Sequence, residues 1–160
     1  MKLSTKGRYA VMAMADIAAN SKGRPISLSE IAERQEISLS YLEQLFGKLR
    51  RGQLVKSVRG PGGGYLLSRR ADEIPLSDIV LAVAEPVKAT RCQPAAPAGC
   101  RNNETRCLTH DLWEELGNRV HQFLSSLSLE DICARRAPGA GEPFDPGGAA
   151  EGGGALRVLR

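Results

Sequence analysis

Four side chains between residues 92 and 110 could hold a metal: Cys92, Cys100, Cys107 and His110, spaced C-x7-C-x6-C-x2-H. Three thiolates and an imidazole suit either a structural Cys3His zinc site or an iron–sulfur cluster. Spacing alone selects neither. The spacers, QPAAPAG and RNNETR, are longer than the C-x2-C knuckle of most zinc ribbons and carry almost nothing that could fold by itself, so a bound group would have to order them. His110 follows Cys107 by three residues at the start of a helical pattern, which lets both converge on one ion. The remaining cysteine, Cys133, lies beyond that pattern and reads as a lone thiol, and His121 reads as helix surface.

The setting of these donors matters. The apolar stretch YAVMAMA is stopped by Asp16, far short of the roughly 20 residues that span a membrane, and no small-residue cleavage site follows it. The expectation is a cytoplasmic protein with no membrane partner, where clustered cysteines serve metals or redox chemistry more often than disulfides. At 160 residues, 42% hydrophobic and 25% charged, the chain has room for one ordinary globular domain with a helix or tail to spare. Its charge is uneven: residues 1–70 carry 13 Lys and Arg against 5 Asp and Glu, whereas residues 71–160 carry 9 against 13. A basic first half suits a polyanionic partner.

The elements that must position the donors can be read from periodicity. Val11, Met14, Ile17 and Ala18 share one face of a helix over 5–20. SLSEIAERQ follows with Ser27 and Glu30 at capping-box spacing, and EIS is a tight link. The next helix, LSYLEQLFGKLRR, buries Leu42, Leu45, Phe46 and Leu49 and stops at Gly52. Two β-leaning runs, 54–58 and 65–68, flank RGPGGG, a hairpin tip whose glycines allow close approach to another molecule. A short helix from Ser77 ends at Pro86, and the cysteine loop occupies 87–108. From Thr109 to about Leu127 a longer helix places Trp113, Leu116, Val120, Phe123 and Leu127 at heptad spacing, the pattern of a dimer seam or, more plainly, of an amphipathic core helix. A short helix then closes the ordered part by 134, and the Gly-, Ala- and Pro-rich stretch 135–160 reads as a disordered tail.

Helix, helix, tight link, helix and Gly-tipped hairpin is the order of a winged helix-turn-helix. The expected fold class is therefore mainly α with a small β wing: a winged helix-turn-helix domain over 1–86, with the helix-turn-helix at about 28–51 and the wing at 54–68, plus a long dimerisation helix. The second helix of the pair would enter the major groove, where each base pair shows its own donor and acceptor pattern. Ser38, Ser40 and Tyr41 stand at its N-terminal end, suited to phosphate, with Glu43 and Gln44 a turn later. Gln44 could pair with adenine; Glu43 could accept from cytosine or exclude phosphate. Lys48, Arg50 and Arg51 would meet or support the backbone. On the hairpin, Lys56 would face phosphate, and Arg59, followed by Gly60, would enter a narrow minor groove. Tyr65 packs at the hairpin base or reaches the backbone. Each polar group also has a plainer role: Ser38 and Ser40 as caps, Glu43 as the partner of Ser40 in a second capping box, Arg59 as surface charge.

KGRYAV, ISLSYLEQLF, LVKSVRGPGGGYLL and ATRCQ…C…CLTH together resemble the Rrf2 family of bacterial regulators over about residues 1–132. The resemblance implies a homodimeric winged-helix repressor or activator of operator DNA. It also implies one [2Fe–2S] cluster per subunit, held by three cysteines and a histidine that map here to Cys92, Cys100, Cys107 and His110. A regulator of this kind controls iron–sulfur cluster assembly genes, with the assembly machinery as cluster donor. The Ala- and Pro-rich first spacer departs from the family pattern. Nitric-oxide-sensing members carry a [4Fe–4S] cluster on three cysteines without this histidine, so His110 separates the two kinds. Two rivals remain. One is a zinc-stabilised DNA-binding module. The other is an enzyme or electron carrier, which the absence of a nucleotide fingerprint disfavours, since RGPGGG lacks the lysine and strand-to-helix setting of a phosphate loop.

Overall fold

The computed structural model describes residues 5–83 and 106–135. Helix α1 runs over Thr5–Asn20, as the periodicity predicts, and buries Ala10, Ala13, Met14 and Ile17 along one stripe. Helix α2 covers Leu28–Gln35 and starts from the predicted capping box: the Glu30 N–H donates to Ser27 Oγ at 3.3 Å, and the Ser27 N–H donates to Glu30 Oε2 at 2.9 Å. The Arg24 guanidinium first, and then the Ser27 amide, hold the Glu30 carboxyl down at about 2. A lowered carboxyl stabilises the folded chain above its ordinary range and stops doing so as pH falls toward that value. The capping box is therefore intact at any neutral or mildly acidic pH.

Glu36 ends α2 in the left-handed region at φ 53°, and Ile37 returns to the core. Helix α3, Leu39–Arg51, then starts from Ser38. Ile37 and Leu42 occupy the positions of a hydrophobic staple, and both are buried. The wing is an antiparallel pair, β1 Val55–Val58 and β2 Gly64–Leu67, with Val55 opposite Leu67 and Val58 opposite Gly64. Its tip turns through Gly60 at φ 105° and Gly62 at φ 71°. Gly64 makes a close approach of a different kind from the one expected. A Cβ there would collide with the carbonyl of Ile26, because Ile26 and Tyr65 exchange backbone hydrogen bonds at 3.0 and 2.8 Å. That glycine lets the chain approach itself.

A 3-10 turn at Ala71–Glu73 leads into helix α4, Leu76–Val83. Helix α5 spans His110–Ser125 and α6 spans Leu129–Cys133. The helix expected to reach Leu127 ends earlier. The chain turns at Ser126 so that the Leu76 N–H can donate to Leu127 O and the Leu129 N–H to Ile74 O, both at 2.9 Å. Leu127 and Leu129 thereby enter the same core as Phe46, Met14 and Ile79, and α6 lies against α1. The C-terminal helices share the winged domain's interior. Among the described residues no helix is long and apolar enough to cross a membrane. The tail expected from 135 onward lies outside the described residues after Arg135.

One buried charge secures this arrangement. Asp16, its side chain 1% exposed, accepts from Arg34 Nε and Nη2 at 2.6–3.2 Å and from Gln35 Nε2 at 2.8 Å, which pins α1 to α2. Arg34→Ala would leave that carboxylate buried with the Gln35 amide as its remaining side-chain donor. The expected loss is about 2–4 kcal/mol in urea unfolding at fixed metal loading; a loss under about 0.5 kcal/mol would mean that water replaces the guanidinium.

Candidate nucleic-acid interface and cofactor ligands

Helix α3 divides cleanly between core and solvent. Leu42, Leu45, Phe46 and Leu49 are buried, whereas Ser38, Leu39, Ser40, Glu43, Gln44, Arg50 and Arg51 are exposed. Ser38 is the N-cap residue but its hydroxyl caps nothing, and Ser40 lies inside the helix. The second capping box, Ser40 with Glu43, therefore does not form, because a cap residue must sit outside the helix it caps. Among the described residues no side-chain hydrogen bond or ion pair engages Ser40, Glu43, Gln44 or Arg50. These groups point outward with their hydrogen-bonding capacity intact. Tyr41 differs: half-buried, it meets Tyr9 edge-on at 5.9 Å and so fixes the start of α1 beside the start of α3.

Lys48, expected to meet the backbone or to support it, has a partner within the chain. Its ammonium donates to the carbonyl of Val83 at 3.0 Å, capping the last described turn of α4. A cation is favoured there because the terminal carbonyls of a helix have no partner within it. On the wing, Lys56, Arg59 and Gly60 are exposed. Tyr65 packs inward, its ring 4.7 Å from that of Phe46, which settles it at the hairpin base.

Of the four soft donors, Cys107 and His110 fall within the described residues; Cys92 and Cys100 lie outside them. Cys107 occupies the turn before α5, where its carbonyl accepts from the His110 N–H at 3.0 Å and its sulfur lies 3.6 Å from Thr109 Oγ1. His110 is the first residue of α5 and is only 4% exposed. Its Nε2 lies 3.7 Å from Glu114 Oε2, and His110, Asp111 and Glu114 bring ligand atoms within 4.8 Å of one another. A half-buried thiol and a sheltered imidazole on one turn fit a soft metal group, so the described half of the donor set suits an iron–sulfur cluster. Cys133 stands apart: exposed, with its sulfur 3.6 Å from Ala15 O and its thiol pushed up by partial burial and then by Glu130.

Along α5, Trp113 and Phe123 are exposed, Leu116 and Val120 are half-buried, and Leu112 is exposed beside them. Leu127, expected as the last member of that seam, is instead in the core because the helix has ended before it. Sequence reading missed Asp16 with Arg34 and Gln35. Their eighteen-residue separation carries no local pattern.

Residues 3–135 match the Rrf2 family, described as an iron-dependent transcriptional regulator. The chain belongs to the Rrf2 family. Among its Rrf2 relatives is the HTH-type transcriptional regulator IscR of Photorhabdus laumondii, 56% identical over 132 residues, which span 82% of this chain and 79% of the relative. The solved structure of T. potens IscR superposes with a TM-score of 0.68 at 36% identity, covering 86% of this chain and 89% of that one. CymR, the global cysteine regulator of B. subtilis, superposes with a TM-score of 0.69 at 34% identity, covering 84% of this chain and 98% of that one. The resemblance in sequence and the winged-helix architecture are thereby established, and the chain is a transcriptional regulator of the Rrf2 type rather than an enzyme. In this Rrf2 regulator Glu43 caps nothing, so Glu43→Ala should leave the helix content unchanged. Selection from random duplexes should then recover a broader set of sites; an unchanged set together with a fall in helicity would return Glu43 to a structural role.

Proposed function

We propose that this regulator binds operator DNA as a homodimer and holds one [2Fe–2S] cluster per subunit on Cys92, Cys100, Cys107 and His110, controlling genes of iron–sulfur cluster assembly. The observation that carries the proposal is His110: a buried imidazole on the first residue of α5, one turn after Cys107, in a molecule whose α3 polar face is otherwise uncommitted. Ser38, Ser40, Glu43 and Gln44 meet the major groove, with Tyr41 setting the helix start, while Arg50 and Lys56 meet phosphate and Arg59 with Gly60 meets the minor groove. Lys48 supports this face from behind, through Val83.

When bound, the cluster supplies an oxygen-sensitive iron centre whose presence follows the cell's supply of iron and sulfide. The chain's own residues supply the route from that centre to DNA. Lys48 fastens the recognition helix to the last described turn of α4, and in sequence the ligand loop follows α4 directly. His110 fastens the far end of the same loop to α5, whose Leu112, Trp113 and Phe123 offer apolar surface to a second copy. A change in the loop thus pulls on both the reading helix and the seam. A two-fold dimer of such heads calls for a pseudo-palindromic operator with half-sites about one or two helical turns apart.

A second reading has its own observation. Asp111 and Glu114 lie close enough to His110 to add oxygen donors, as a zinc site would accept. Purification without oxygen separates the two. A cluster gives a red-brown solution with visible absorption and with iron and sulfide in equal amounts, and His110→Ala should bleach or weaken that spectrum while leaving the far-ultraviolet dichroism unchanged. A colourless protein with stoichiometric zinc, free of iron after chemical reconstitution, would overturn the cluster and favour the second reading.

A further inference from the structure

We infer that Leu39 reads a thymine methyl group, and so contributes to the choice of operator beside the polar residues of α3; this rests on the DNA-binding reading above. Leu39 is the first residue of α3 and is 42% exposed. Leu39 is not part of the core cluster. The staple that closes this end of the helix is made by Ile37 and Leu42, which are buried, and the first turn of a helix favours proline or acidic residues over leucine. The core-facing stripe belongs to Leu42, Leu45, Phe46 and Leu49.

Its place on the helix points elsewhere. Leu39 precedes Ser40 directly and lies one turn before Glu43, so it borders the face that carries Ser40, Glu43 and Gln44. A helix entering the major groove by its N-terminal end brings its first residues nearest the base edges. The apolar group displayed there is the C5 methyl of thymine. Gln44, on the face that Leu39 borders, has the amide geometry that pairs with adenine. Leu39 thus covers a group that hydrogen bonding cannot read, and the protein distinguishes thymine from uracil there by contact alone.

The test removes one methyl and nothing else. Duplexes are selected from a random pool by the full-length, cluster-loaded protein, and each half-site thymine is then replaced singly by uracil. Wild type should lose about fourfold in affinity per half-site at one thymine, the worth of one buried methyl group. Leu39→Ala should bind the thymine duplex that much more weakly and be indifferent to uracil there, and Leu39→Met, which keeps an apolar end, should retain the discrimination. A wild-type protein indifferent to every replacement, or a Leu39→Ala protein that still discriminates, overturns the inference. Failure to enrich any duplex would overturn the DNA-binding reading itself, and this inference with it.

Discussion

The ring of Phe46 stands 4.7 Å from that of Tyr65, and this buried contact sets the recognition helix against the wing. Tyr65 is held in turn by paired backbone hydrogen bonds to Ile26, which exist because Gly64 has no side chain to obstruct them. Three segments far apart in sequence, the link before α2, the helix α3 and the strand β2, are thereby brought to one fixed relation. Groove reading needs such rigidity, since hydrogen bonds to base edges tolerate little misplacement. Asp16 extends it by locking α1 to α2 through Arg34 and Gln35. The polar face of α3 can remain open to a partner because its anchoring is complete on the other side.

Local chemistry made much of this architecture legible in advance. The stripe of Met14 and Ile17, the Ser27–Glu30 box and the Gly52 stop are short-range signals, and the helices form within a residue or two of where those signals place them. The wing likewise follows from two β-leaning runs about a glycine tip. What stayed hidden depends on tertiary contact. The left-handed residue of the helix-turn-helix link is Glu36, not a glycine, so no turn signal marks it. Leu127 continues the heptad spacing of α5 perfectly well, but its backbone pairs with Leu76, and that competing interaction ends the helix. Lys48 looked like one more cation on a basic helix until Val83 supplied it with a carbonyl. The role of Gly64 was half legible: close approach was foreseen, and the neighbour approached was not.

The candidate site divides along the same line. Residue type and spacing singled out His110 and Cys107, and the turn that joins them is local. Whether Cys92 and Cys100 complete the set is a question of long-range convergence, which no spacing decides. The face of α3 is legible as a pattern of short polar residues, yet sequence alone left Ser40 and Glu43 with a capping box that the helix boundaries rule out, and Ser38 stands at the N-cap position with no side-chain cap bond. In sequence, residues 84–105 lie between the turn of α4 that Lys48 caps and the start of α5, where His110 is buried. That placement is what supports the proposed coupling of a metal group to DNA choice.

The central claim is that this coupling exists. It is tested most directly by enriching operators from one random duplex pool twice, with the cluster-loaded protein and with the same protein stripped of its cluster, and comparing the recovered sites and their affinities. Coupling predicts two distinguishable site sets, or one set bound with clearly different affinity. Identical sets bound equally tightly would contradict it and leave a DNA-binding protein indifferent to its metal.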